Sequence, residues 1–183
     1  MARNTLSRSL HDVGLAAWFG GTLANAVALN AAAAEAGSAK DTGAVANAGW
    51  DRWTPINAAA IGAHLVGSIG QLGANKSRVA GQDGVAGMST LKTLLTVAAL
   101  GVTGYSRVLG RKVSTYGSVP AKSGTKAAKS TPADVAAAQG QLATLQWVIP
   151  ALTGVLVVIS SFAGEQQRAS EQAKGTVGQR YTA

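Results

Sequence analysis

The chain has 183 residues, enough for one ordinary domain or a handful of membrane spans. Ala (37) and Gly (23) make up about a third of it and only 13% is charged, yet 16 Lys+Arg against 8 Asp+Glu leave a net +8. The absence of Cys excludes disulfides, thiolate metal sites and Fe–S clusters, and 5% aromatics are too few for a base-stacking surface, so no nucleic acid is expected as a partner.

In chain order, the first charge-free stretch runs from Val13 to Ala34, between Asp12 and Glu35. Arg3, Arg8 and the small-x-small Ala24-Asn25-Ala26 have the look of a signal peptide, but the segment is read as a retained first span. Glu35 to Arg52 follows as an Ala/Gly-rich, slightly acidic loop. Trp53 to Asn75 is the second charge-free stretch. Thr54-Pro55 supplies a hydroxyl N-cap and a Pro at the first helical position, and Trp50 and Trp53 are placed as interfacial anchors.

The third stretch, Thr93 to Ser106, extends back to about Val85 if Lys92 stretches its ammonium toward the interface, and Gly110 is its natural stop. Residues 110–131 read as a mobile basic loop. The fourth stretch, Val135 to Gly164, is announced by Thr131-Pro132 with Asp134 in the first turn. Its exit carries Glu165/Arg168 and Glu171/Lys174 at i,i+3 spacing before a stop at Gly175, within a C-terminal tail at 165–183.

A spanning helix needs about 20 mostly apolar residues. A soluble amphipathic helix would instead show a charged face, and these stretches have none. The fold expected is all-α: a single membrane domain, an integral membrane four-helix bundle with a long C-terminal helix. Its spans are placed at about 13–34, 54–75, 86–108 and 138–163 in a multi-pass protein of the plasma (inner) membrane. The positive-inside count ties, eight Lys/Arg on each side. The first helix then decides: Arg3 and Arg8 against a net-negative first loop put both termini in the cytoplasm.

Polar side chains recur at seven-residue intervals, as an inward seam in a left-handed bundle requires. The sets are His11/Trp18/Asn25, Asn57/His64/Gln71, Ser89/Thr96/Thr103 and Gln146/Thr153/Ser160. Asn25, Asn57, His64, Gln71 and Gln146 are the seam's principal members. Ala16/Gly20, Ala17/Gly21, Ala58/Gly62 and Ala63/Gly67 are small-xxx-small pairs that let helices approach. Pro150 falls mid-span and predicts a kink, since it removes the bond to the Gln146 carbonyl.

An intramembrane His is a functional candidate by default, but no Asp or Glu lies inside any span to complete a proton relay, so His64 reads first as a structural group bonded across helices. Pairing it with His11 around a haem fails on depth: His11 sits at a membrane boundary, while His64 lies 11 residues from the Asn75 end of its span, about 16 Å deeper. No HExxH, Walker loop or Gly-rich dinucleotide turn is present, so neither enzyme nor cofactor is expected. Arg107, Arg111 and Lys112 form a basic cluster that suits anionic lipid head groups or simple anchoring.

Leu10–Gly21 (LHDVGLAAWFGG) and Arg52–Asn57 (RWTPIN) resemble a group of uncharacterised actinobacterial four-span membrane proteins. The resemblance implies a non-catalytic accessory subunit of a larger inner-membrane assembly, with an Mce-type lipid importer or a respiratory supercomplex as a typical host. Other integral membrane subunits and membrane lipids are then the partners. The residues leave open an independent carrier for a lipid or small molecule, built on the polar seam around His64, and a sensor whose basic loop binds a partner.

Overall fold

A computed structural model of the chain describes residues 4–82, 84–115 and 118–165. The fold is all-α apart from one two-stranded hairpin. α1 (Thr5–Ala24) continues without a break through a π-helical turn at Asn25–Leu29, the single turn α2 (Asn30–Ala32) and a 3₁₀ turn at Ala33–Glu35. Together they form a 31-residue rod. It starts eight residues before the first charge gap because Arg8 and Asp12 occupy its outer end.

The chain then reverses at 36–38 into α3 (Ala39–Ala74), whose 36 residues make it the longest helix. This overturns the expected loop at Glu35–Arg52 and the expected helix start at Thr54-Pro55. Ser38, in extended backbone, accepts from the Asp41 backbone N–H at 3.2 Å, and its hydroxyl donates to Asp41 Oδ2 at 2.7 Å. That cap starts the helix sixteen residues earlier than Thr54-Pro55 would, and α3 passes straight through Pro55. The Thr54 hydroxyl bonds back to the Trp50 carbonyl within the helix.

α4 (Lys76–Gly81) is a short turn of helix, and α5 (Val85–Ser114) follows. Gly84 precedes α5 at φ 76°, in the left-handed region open to Gly. Gly110 does not stop α5, which runs on for another turn. α6 (Ala133–Glu165) has 33 residues and is continuous through Pro150, so the C-terminal helix is long but shorter than α3. Beyond Glu165 the expected tail lies outside the described residues, as do Arg168, Glu171, Lys174 and Gly175.

Much of the expected loop at 110–131 is folded. β1 (Ala121–Ser123) pairs antiparallel with β2 (Lys126–Ala127), with Ala121 opposite Ala127. Val119, Ala121 and Thr125 are buried. Thr131 does not cap α6; its hydroxyl donates to the Pro120 carbonyl and accepts from the Ala128 N–H, closing the hairpin. Val119 packs with Leu109, Val113, Val135 and Ala138 where α5 ends and α6 begins.

The four long rods run up-down-up-down. α1 packs along α3, α5 along α6, and α1 against α6, while α3 and α5 touch sparingly. Leu15, Trp18, Ala99, Ile149 and Leu156 form the central core. α1 and α3 approach most closely at glycines. A Cβ on Gly14 would sit 2.5 Å from the Ala60 carbonyl oxygen, and one on Gly67 would sit 2.2 Å from the His11 nitrogen. Of the expected small-residue pairs, Gly21 and Gly67 are contact positions, whereas Gly20 and Gly62 meet nothing within 4 Å.

Three rods are long and apolar enough to cross a membrane: Thr5–Glu35, Val85–Ser114 and Ala133–Glu165. α3 is long enough, but its composition falls short of the same standard. The cause is visible in its two halves. Residues 39–52 carry Lys40, Asp41, Asp51 and Arg52, and the charge-free half turns Asn57, His64, Ser68 and Gln71 away from its exposed Ile56, Val66, Ile69 and Leu72.

Candidate binding crevice and the His11–His64–Lys92 centre

Each heptad position predicted for the inward seam is buried or half-buried, Asn25 and Gln146 included. The seam is not one hydrogen-bonded ladder. At one end of the bundle it is a polar lock, at the other a charged centre, and between them runs a crevice.

The lock begins at Asn30, one turn past Asn25. Asn30 Nδ2 donates to Gln146 Oε1 at 2.7 Å, and Trp50 Nε1 donates to Asn30 Oδ1 at 3.0 Å. The hairpin joins through Gly124, whose N–H bonds the Asn30 carbonyl at 3.3 Å, and the Val119 carbonyl presses on Gly43 of α3. Trp50 is thus engaged inside the bundle, and Trp53 lies over Gly21. Neither stands as the free interfacial anchor expected of it. The two expected loops fold together into one cap.

The charged centre joins residues that depth counting had separated. His11 and His64 are 2% and 1% exposed, with ring centroids 4.5 Å apart and planes tilted by 45°. Helix ends explain the error: the α1 rod starts at Thr5 rather than Val13, so His11 lies about 10 Å into it and faces the turn that carries His64.

The hydrogen bonds assign the tautomers. His11 Nδ1–H donates to Asp12 Oδ1 at 2.7 Å, leaving Nε2 to accept from Lys92 Nζ at 3.2 Å. His64 Nδ1–H donates to the His11 carbonyl at 3.3 Å, and His64 Nε2 is buried without a partner among the described residues. Lys92 therefore does not reach outward for the interface. With the His11 nitrogen occupied by an ammonium, the two rings are not posed as an axial pair on a metal. Among the described residues, no three His, Asp or Glu side chains gather as metal ligands.

The crevice follows from the weak α3–α5 seam. A cavity of about 340 Å³ at the N-terminal end is lined by Gln71, Asn75, Arg78, Ser89, Lys92 and apolar Leu65, Ile69, Leu72, Met88 and Leu100. A second, of about 330 Å³, lies toward the cap among Trp50, Trp53, Asn57, Ile61, Leu100, Thr103, Ser106, Arg107, Gln146 and Ile149. Leu100 lines both. Five residues of the second cavity each hold a buried polar atom without a partner among the described residues: Trp53 Nε1, Asn57 Oδ1, Thr103 Oγ1, Ser106 Oγ and Arg107 Nε. Native proteins pair most such groups, and these five belong to residues that line one cavity.

The basic cluster predicted on α5 does not act as a unit. Arg107, 34% exposed, pairs with Asp51 Oδ1 at 3.2 Å, and Lys112 lies 3.5 Å from Asp134 Oδ2, while Arg111 is exposed. Sequence reasoning found His64, Asn57, Gln71 and Gln146 but missed Asn30, Lys92 and the Trp50 and Trp53 side chains as lining groups. The heptad register does mark Trp18 and His11, and Lys92 itself was the signal, as an ammonium inside an otherwise apolar run.

The chain matches no family model, no curated protein and no solved structure. The resemblance over Leu10–Gly21 and Arg52–Asn57 gains no support from them, and function rests on geometry.

Proposed function

We propose that the protein is a non-catalytic, multi-pass protein of the plasma (inner) membrane that binds an amphipathic small molecule or lipid in the crevice between α3 and α5. One observation carries this reading. The seam between α3 and α5 stays open, with two cavities walled by apolar side chains and edged by polar groups left without partners. Ligand sites have this character: concave, mostly apolar, with a few placed polar groups. Three rods fit for a bilayer support the location, and Arg8 at the start of the first favours a cytoplasmic N-terminus.

Purification in a mild detergent, followed by native mass spectrometry, tests it. A bound amphiphile should accompany the wild type and be lost in Leu100→Trp, which fills the point where the cavities meet, with the melting temperature confirming a folded variant. Wild type free of any such molecule, in membranes and with added lipid alike, overturns the reading.

The accessory-subunit reading is favoured by a different feature. Ala58 and Gly62 on α3 are both exposed, and a Cβ on Gly62 would meet nothing within 4 Å among the described residues, which leaves room for a helix of another subunit. Stoichiometric co-purification of another membrane protein, abolished by Gly62→Leu, would support it over the binding protein.

A further inference from the structure

The half-buried Lys92 ammonium lines the crevice with no carboxylate in direct contact, and Asp12, which borders a neighbouring cavity with it, acts on it only from across the imidazole. Among the described residues its one hydrogen bond goes to His11 Nε2, and no Asp or Glu oxygen lies within 4.0 Å of Nζ. Asp12, the nearest acidic influence, is engaged on the far side of the imidazole by His11 Nδ1. An ammonium carries three N–H donors, and the imidazole takes one.

Other positive groups converge here. Arg78 sits on the rim of the same cavity, held by Gln82 Oε1 at 2.9 Å and Asn75 Oδ1 at 3.2 Å. Burial, and after it the neighbouring Arg8 guanidinium, keep the Arg78 pKa below its ordinary value while leaving it a cation. Ser89 and Thr93 line the cavity with hydroxyls, and Gln71 Nε2 is buried without a partner among the described residues. Gln71 also borders a neighbouring cavity that holds Arg8, His11, Lys92 and Ser160. From this polar end the crevice continues along Leu65, Ile69, Leu72, Met88, Val97 and Leu100.

We infer that the occupant of the crevice is an oxyanion-headed amphiphile, a phosphate or carboxylate on a hydrocarbon body, with its anionic end against Lys92, Gln71 and Arg78 and its tail along α3 and α5. The inference rests on the crevice being a binding site and adds the charge and orientation of its occupant. A phosphate supplies the acceptors that the spare ammonium and amide donors lack, and its charge balances a cation that the protein leaves unpaired. A neutral head would fill the same space and leave that cation bare.

The test adds phosphatidic acid, phosphatidylcholine and diacylglycerol of the same acyl chains, one at a time, to the full chain in a neutral detergent, read by native mass spectrometry. Inorganic phosphate alone is followed by its effect on the melting temperature. Wild type should retain phosphatidic acid in preference to diacylglycerol by about tenfold or more, the scale of one or two charge-assisted hydrogen bonds. The preference should collapse toward unity in Lys92→Gln and survive in Lys92→Arg. Arg78→Gln, on the rim, should lower it partway, and carries the test if Lys92→Gln does not fold.

Equal retention of all three lipids, with no stabilisation by inorganic phosphate, overturns the oxyanion inference and leaves the crevice standing. Retention of none overturns both. Stabilisation by inorganic phosphate in wild type but not in Lys92→Gln, with no discrimination among lipids, supports the oxyanion site and overturns the amphiphile as its source.

Discussion

Asn30 and Gln146 lie 116 residues apart in the chain and 2.7 Å apart in space, joined by an amide-to-amide hydrogen bond that also receives Trp50. Removing Asn30 leaves two half-buried partners, Gln146 and Trp50, unpaired. Asn30→Ala should cost about 1–3 kcal/mol, the usual penalty for orphaning a buried polar group. Paired with Gln146→Leu, the losses should fall short of additivity, since the two substitutions break one bond. Thermal unfolding in detergent measures both, and fully additive losses would falsify the lock.

The α1–α3 approach predicts a contrast between two glycines. Gly14→Ala drives a methyl to 2.5 Å from the backbone of Ala60 and His64, atoms that cannot swing aside. It should destabilise by about 1–3 kcal/mol or more as the helices separate. Gly62→Ala meets open space and should be neutral or stabilising by up to about 1 kcal/mol through helix propensity alone. The same sign for both substitutions in an unfolding assay rejects the packing register.

Pro55 distinguishes one long α3 from a loop followed by a span. As the first residue of a helix, Pro is favourable and its loss costs stability. Inside a helix it removes the bond to the Asp51 carbonyl. Pro55→Ala should therefore raise the melting temperature, and a clear drop would restore a helix start at Thr54-Pro55.

Orientation is checked without background labelling, because the chain has no Cys. Lys122 is exposed on the hairpin. Lys122→Cys should react with an impermeant maleimide in intact cells if the N-terminus is cytoplasmic. Reaction only after permeabilisation reverses the topology.

The charge gaps were enough to place four rods, because an apolar medium and charged side chains are incompatible whatever the packing. The seam residues Asn57, His64 and Gln71 were legible for a related reason, since polar groups on such a helix turn toward other helices. Helix ends were not legible from gaps. A helix continues into water wherever backbone bonds and caps permit, and Ser38 with Asp41 carried that signal at capping spacing. The same blindness at the other end of the chain, where α1 begins at Thr5 rather than at Val13, placed His11 far from the ring it touches. The hairpin escaped notice because its composition, Gly, Ser and Lys, is that of a flexible linker. What orders it is tertiary: Val119 beneath α5 and α6, and Gly124 on Asn30.

The cap also bears on the order of synthesis. α1 and α3 can pair once residue 75 has been made, since the close approaches between them at Gly14, Gly21 and Gly67 fall within that segment. Trp50 can already donate to Asn30 Oδ1 within that segment, but Asn30 Nδ2 must wait for Gln146, two rods later, before its amide is satisfied. A nascent or truncated chain that ends before α6 therefore displays an unfinished polar patch at the mouth of an otherwise complete hairpin. The patch closes only when the last helix has arrived to bring Gln146.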